Sequence, residues 1–196
     1  MGIKARFLRM TRRDNMDIFS LLSMIGGLAL FLYGMEVLGD GLKKASGGKL
    51  EHILEKLTSN KLMAVLLGAG VTAVIQSSSA SVGILQALCL TGAVPFSAAI
   101  PIIMGQNIGT CITAILSAIG AKKNAKRAAA VHLYFNLIGT VIFMTAFYLI
   151  NAVVGFSFFH QAATPAGIAV IHSVFNVTAT IILLPFAKGL EKLACL

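Results

Sequence analysis

The sequence VTAVIQSSSAS at residues 71–81 places four consecutive polar residues, Gln76 to Ser79, in the middle of an apolar stretch. In hydrocarbon an unsatisfied polar group costs several kcal/mol, so these side chains must face protein, ions or water rather than lipid. Polar side chains at such a depth either join helices by hydrogen bonds or bind a ligand. A run of four, with side-chain hydroxyl and amide oxygens, favours a site for a small cation or an oxyanion.

The composition around this stretch is that of a membrane protein. The chain has 196 residues, of which 57% are apolar and 12% charged, whereas a soluble domain has about 25% charged residues. The apolar residues form blocks of about 20, the length that crosses a hydrocarbon core of about 30 Å. The net charge of +9 lies in the flanks and loops between these blocks, where it sets orientation and contacts lipid head groups rather than nucleic acid. The sequence contains no group of acidic and basic side chains that would indicate an enzyme.

The pattern therefore predicts an all-α integral membrane protein with about four crossing helices. We expect a basic segment over residues 1–17 and one transmembrane domain over residues 18–193. The expected crossing helices within this domain span residues 18–39, 95–120, 128–150 and 164–187. An amphipathic helix is predicted at the membrane interface over residues 43–58.

Residues 62–91, which contain the polar run, allow two topologies. A single helix would be roughly 43 Å long, more than a membrane needs. A re-entrant hairpin that turns at Gln76 to Ser79 would have two arms of about 20 Å, each too short to cross. Either topology divides the basic residues eleven to five between the two sides, so the positive-inside rule does not choose between them.

A second polar interruption, GQNIGT at residues 105–110, lies within the predicted helix over residues 95–120. Two glycines around an asparagine indicate a broken helix, whose ends would present free N–H and C=O groups at depth. Gln106, Asn107, Thr110 and Thr113 occur together here, which a simple kink does not explain.

The last two predicted crossings share a motif. The pattern His132-x-x-Phe135-Asn136 recurs forty positions later as His172-x-x-Phe175-Asn176. These offsets place the polar side chains on one inward face of each helix. For His132, Asn136, His172 and Asn176 we predict hydrogen bonds between helices, with ligand contact as the alternative.

Taken together, QSSSA, GQNIGT and the paired HxxFN helices resemble the type II sodium–phosphate cotransporter family, including its bacterial members, from about Gly26 to Leu193. In that family the QSSS motif lies at a re-entrant hairpin or broken helix and helps to bind phosphate and sodium. The resemblance implies the hairpin topology, a multi-pass protein of the plasma membrane and cytoplasmic termini. The phosphate-binding residues that it implies are Gln76, Ser77, Ser78, Ser79, Asn107 and Thr110. The implied sodium-binding residues are Ser78, Ser79, Gln106, Asn107, Thr110 and Thr113.

Copy number is the main departure from the family. Its members have two inverted repeats, each with a QSSS, whereas this chain has one and is equivalent to one repeat of an inverted-repeat transporter. The resemblance implies sodium-coupled phosphate transport, with Na+ as the coupling ion and no other cofactor. The alternatives are transport of another small oxyanion, or a non-transporting regulatory subunit that assembles with a two-repeat relative. The expected partners are phosphate, Na+, the lipid bilayer and either a second copy of the chain or such a relative, but no nucleic acid.

Overall fold

The structure, a computed structural model, describes residues 18–46, 58 and 60–195. These residues form helices and no strand, which confirms the all-α class. The helices are α1 (Ile18–Ser46), α2 (Lys61–Ile75), α3 (Ser78–Leu90), α4 (Phe96–Ser117), α5 (Lys123–Val154), α6 (Pro165–Leu183) and α7 (Ala187–Leu193), with a 3-10 turn at Leu184–Phe186. The predicted basic segment and most of the predicted amphipathic helix lie outside the described residues.

Four helical runs are long and apolar enough to cross a membrane, as predicted. They are Ile18–Gly41, Phe96–Ser117, Lys123–Val154 and Pro165–Leu193. In contrast, α2 has 15 residues and α3 has 13, so each is about 20 Å long and too short to cross.

The chain reverses direction between α2 and α3. Gln76 adopts the left-handed conformation, with φ 57° and ψ 22°, and Ser77 is extended, with φ −140° and ψ 110°. Beyond this turn, the hydroxyl of Thr72 donates a hydrogen bond to Ser81 Oγ at 2.7 Å. Residues nine apart in one straight helix would be about 13 Å apart. The two helices therefore fold back on each other as a hairpin.

Both ends of this hairpin lie at the same end of the helix bundle. The ammonium group of Lys61, at the start of α2, lies 3.5 Å from the ring centroid of Tyr148 near the end of α5. After α3, the carbonyl of Val94 accepts a hydrogen bond from the Ala163 amide at 2.8 Å, in the loop between α5 and α6. The hairpin thus enters and leaves on one side, which excludes the single crossing.

The predicted break within residues 95–120 is wrong, because α4 is uninterrupted from Phe96 to Ser117. Its glycines serve close packing instead. A Cβ atom on Gly105 would collide with the Val65 carbonyl, and one on Gly68 in α2 would collide with the Ile102 carbonyl. Small residues at a helix crossing let two backbones touch. The glycines of GQNIGT therefore bring α4 against α2 without ending the helix.

Helix α4 lies at the centre of the bundle, and α1 lies at its edge. Residues 98–107 of α4 are all buried. Helix α1 packs on α3, where a Cβ on Gly83 would lie 3.4 Å from the Phe31 ring. Most apolar side chains of α1 are exposed, as expected of a helix that faces lipid.

Candidate functional site

A cavity of about 480 Å³ opens where the hairpin turns. We call it the break cavity, and its lining consists of Gln76, Ser77, Ser78, Ser79, Thr110, Thr113, Ala114, Ser117 and His132. The fold therefore brings the whole QSSS run to the two threonines of α4 that the sequence singled out. This juxtaposition arises because α2 is held against α4 at the glycine crossing, which leaves the turn beside the second half of α4.

A smaller cavity of about 190 Å³ adjoins the first. We call it the histidine cavity, and its lining consists of Ser78, Asn107, Thr110, His132, Phe135, Asn136, His172 and Asn176. Ser78, Thr110 and His132 line both cavities. The two spaces are therefore neighbours with common walls, and a ligand in one changes the surroundings of the other.

The hairpin turn places two helix ends of opposite polarity at the break cavity. Gln76 N donates to Thr72 O at 2.7 Å, and Ser77 Oγ accepts from Ala80 N at 3.3 Å. The other last carbonyls of α2 have no donor within their helix, and the other first amides of α3 have no acceptor within theirs. The carboxyl end of a helix carries partial negative charge and the amino end partial positive charge. The turn can thus attract both a cation and an anion.

The cavity walls carry no full charge. Among the described residues, no Lys, Arg, Asp or Glu lines either cavity. The histidines are the titratable side chains of the lining. An ion in either space would be bound by hydroxyl, amide, imidazole and main-chain groups, assisted by the helix ends.

Several of the polar side chains that line the cavities are already engaged. Thr110 Oγ1 donates to Gln106 O at 2.9 Å, so its free lone pairs make it an acceptor toward the cavity. Asn107 Nδ2 donates to Ile103 O at 2.8 Å, and Asn176 Nδ2 lies 3.3 Å from Asn107 Oδ1. This last contact joins α6 to α4 through Asn176, one of the four residues for which hydrogen bonds between helices were predicted.

Gln106, which the resemblance implied as a sodium ligand, lies elsewhere. It is 3% exposed, and its Nε2 donates to the carbonyl oxygen of Ser81 at 2.9 Å and to the Ser81 hydroxyl at 3.0 Å. It lines neither cavity, because its position on α4 points toward the hairpin arms. Its contacts support the hairpin from behind.

Sequence reasoning gave no site role to five residues around the site. Thr72 and Ser81 join the hairpin arms, and Ala114, Ser117 and Phe135 line the cavities. Thr72 and Ser81 stand symmetrically about the Gln76–Ser77 turn, which is the signal that a hairpin would pair them. Ser117 lies one helical turn beyond Thr113, on the face that the threonines define.

Residues 30–164 of the chain match the Na+/Pi-cotransporter family. The matched region runs from the middle of α1 to the residue before α6. It includes the hairpin, all of α4 and the first HxxFN motif.

Individual relatives agree with this match. The chain is 30% identical over 199 residues to the uncharacterized protein YqeW of Bacillus subtilis (strain 168), in an alignment that covers 91% of the chain and 64% of that relative. It is 35% identical over 130 residues to sodium-dependent phosphate transport protein 2A of Rattus norvegicus, covering 62% of the chain and 20% of that relative. It is 32% identical over 139 residues to sodium-dependent phosphate transport protein 2B of Homo sapiens, in an alignment that covers 64% of the chain and 19% of that relative.

The chain thus spans less than two thirds of the length of each of these relatives. No solved structure matches it significantly. The family match nevertheless covers most of the chain and contains both cavities except for the part of the histidine cavity on α6. The chain belongs to the Na+/Pi-cotransporter family.

Proposed function

We propose that this chain transports inorganic phosphate across the membrane together with sodium, and that the two adjoining cavities hold these ions. One observation carries the proposal: the turn between α2 and α3 presents two helix ends and the QSSS side chains to Thr110 and Thr113. The similarity to sodium-dependent phosphate transport proteins 2A and 2B supports phosphate as the substrate and sodium as the coupling ion.

In this proposal phosphate binds at the amino end of α3. Main-chain amides at a helix start bind oxyanions readily, and the hydroxyls of Ser77, Ser78 and Ser79 can each donate a further hydrogen bond. The Gln76 amide group lies at the same turn. Asn107 has its Nδ2 and Oδ1 engaged by protein groups, so we assign it a positioning role.

Sodium is proposed to bind between the carboxyl end of α2 and the threonines of α4. Transporters hold Na+ with unwound carbonyls and half-helix carboxyl ends. Thr110 offers its oxygen lone pairs, because its proton already goes to Gln106 O. Thr113, Ser78 and Ser79 line the same cavity. Gln106 is not included among the proposed ligands, because it lines neither cavity.

Shared walls would couple the two ions. Ser78 and Thr110 line both cavities, so an ion bound in one cavity fixes groups that the other needs. Each ion then raises the affinity for the other by the same factor. This reciprocity is the physical requirement for symport.

We further propose that the chain lies in the plasma membrane with its termini in the cytoplasm. In the hairpin topology, eleven of the basic residues fall on the side of the termini and of the loop before α5, against five on the other side. A cysteine introduced at Lys123, in a background without native cysteines, should react with an impermeant thiol reagent from the cytoplasmic side only. Reaction from outside would overturn this orientation.

Assembly forms the last part of the proposal. Gln76 and Ser79 are exposed on the open side of the break cavity, and polar groups at depth are costly toward lipid. A second copy of the chain or a two-repeat relative would cover them. Light scattering of the purified protein in detergent should give a mass above that of one chain. A monodisperse monomer that transports phosphate would contradict this part.

Uptake into proteoliposomes tests the function. Purified protein should accumulate labelled phosphate when an inward sodium gradient is imposed, and an equal potassium gradient should give no accumulation. An excess of sulfate added with the phosphate tests for another oxyanion. Uptake that is absent would refute transport, and uptake that is equal in potassium would refute the coupling alone.

A further inference from the structure

We propose that His132 and His172, which line the histidine cavity, bind the phosphate held at the amino end of α3 and make its affinity depend on pH. This inference rests on the proposed phosphate site. It adds two binding residues to that site and a dependence of its affinity on pH. It replaces the packing role that the sequence suggested for the histidines.

The two histidines reach one space from two helices. His132 on α5 and His172 on α6 both line the histidine cavity, together with Ser78 at the start of α3. His132 also lines the break cavity. A cavity of about 190 Å³ has the volume of roughly six water molecules, which is enough for a tetrahedral oxyanion. An anion that reaches this cavity from the start of α3 would thus lie beside both histidines and Ser78.

The asparagines of the two motifs, not the histidines, make the structural hydrogen bonds. Asn136 Nδ2 donates to the His132 carbonyl at 3.0 Å, and Asn176 Nδ2 donates to the His172 carbonyl at 2.8 Å. In the described part of the chain neither imidazole ring has a hydrogen-bond partner. Both side chains are half-buried and line the cavity, so their ring nitrogens are available to a ligand there.

The groups that face the imidazoles carry no charge. They are Ser78 from α3, Asn107 and Thr110 from α4, and Phe135, Asn136 and Asn176 from α5 and α6. An imidazole that gains a proton here would give the lining a full positive charge on a side chain. A neutral imidazole offers one N–H donor, whereas the protonated ring offers two. Hydrogen bonds between charged groups are about twice as strong as neutral ones.

The direction of the pH dependence follows from linkage. Because the protonated rings bind an anion better, the bound anion favours protonation in return. Anion affinity should therefore rise as the pH falls, and this rise should disappear when the rings are replaced by groups that do not titrate.

Equilibrium binding of radiolabelled inorganic phosphate tests the proposal. The full chain in detergent is titrated at fixed sodium between pH 5.5 and pH 8.5, as wild type, His132→Gln, His172→Gln and the double variant. Glutamine keeps an N–H donor but does not titrate. His160→Gln is the matched control, because His160 is exposed and lies in the loop before α6, outside both cavities. Phosphate itself changes protonation in this range, so the difference between variants isolates the histidines.

We expect the double variant to bind phosphate about tenfold more weakly than wild type at pH 5.5. At pH 8.5 the two should agree within about twofold, and His160→Gln should follow wild type throughout. Identical pH profiles for wild type and the double variant would overturn the histidine assignment and leave the phosphate site standing. A wild type that binds no phosphate at any pH would overturn the proposed function, and the inference with it.

A second readout avoids dependence on the folding of the variants. Diethyl pyrocarbonate acylates accessible imidazole nitrogens, and mass spectrometry locates the modified residues. Phosphate should slow the modification of His132 and His172 in the wild-type protein and leave the modification of His160 unchanged. Equal modification with and without phosphate would overturn the proposal.

Discussion

Two polar stretches meet at the break cavity, and their backbones behave differently. At Gln76–Ser79 the chain leaves the helical conformation, turns and begins a new helix that Ser77 caps. At Gly105–Thr110 the helix continues, and the Thr110 hydroxyl donates to a carbonyl one turn earlier. The first stretch exposes helix ends to the cavity, and the second exposes side-chain oxygens.

The difference shows what the glycines do. The turn itself contains no glycine, and Gln76 is the only described residue other than glycine with a positive φ. The glycines instead lie where α2 touches α4, at Gly68, Gly105 and Gly109. The break between α2 and α3 is therefore stabilised by a capping side chain. The glycines lie where two uninterrupted helices come into close contact.

The largest effect is expected at this glycine contact. Gly68→Leu should cost about 3 kcal/mol of stability or more, since its Cβ alone would meet the Ile102 carbonyl and the two helices must separate. Gly70→Leu on the same helix is the matched control, because nothing lies within 4 Å of a Cβ there. Thermal unfolding, followed by the reaction of buried Cys89 and Cys111 with a thiol-reactive fluorophore, measures both. Equal melting temperatures for the two variants would contradict the glycine contact.

A smaller effect, confined to ligand affinity, is expected at Thr110. Thr110→Val removes an oxygen that lines both cavities, and a lost contact to an ion costs about 1.5–3 kcal/mol, or roughly 10- to 150-fold in affinity. Thr180→Val is the control, because Thr180 makes the same back-bond, at 2.7 Å to Asn176 O, outside both cavities. Sodium and phosphate binding isotherms of the two variants provide the comparison. Similar losses in both would mean that the back-bond, not the cavity position, matters.

The hairpin arms provide the next test. Thr72→Val keeps the shape of the side chain and removes its hydrogen bond to Ser81. Ser81 keeps its contact with Gln106 Nε2, so we expect a loss of only about 1 kcal/mol. Thermal unfolding of Thr72→Val beside the wild-type protein measures this loss. A Thr72→Val protein that melts at the wild-type temperature would show that packing alone holds the arms together.

The smallest effect is expected at the turn. Gln76→Gly relieves a left-handed conformation that costs an ordinary residue about 1–2 kcal/mol, while glycine adds chain entropy to the unfolded state. The net gain in stability should be below about 1 kcal/mol, and phosphate affinity should fall with the lost amide. Gln86→Gly, within α3, should instead lower stability, because glycine disfavours a helix interior. A Gln76→Gly protein that melts as low as Gln86→Gly would contradict the turn.

Local sequence was sufficient for some of these features and insufficient for others. The four crossing helices were predictable, because apolar length is visible within a short window. The polar run at Gln76–Ser79 left both topologies open, and only the family resemblance implied the hairpin. The continuity of α4 was not predictable, because the role of Gly105 depends on Val65, forty residues away in sequence. The same holds for Gln106, which faces Ser81 instead of the cavity. Contacts between segments distant in sequence decide which face of a helix is turned toward the site.

The most direct test of the central claim is the reciprocity of ion binding. Phosphate binding to the purified wild-type protein is measured over a sodium titration, and sodium binding over a phosphate titration, each beside Ser78→Ala. We predict that each ion raises the affinity for the other by the same factor, and that Ser78→Ala, which alters the wall common to both cavities, weakens both affinities. Phosphate binding that is indifferent to sodium, or unchanged in Ser78→Ala, would contradict a shared site at the hairpin turn.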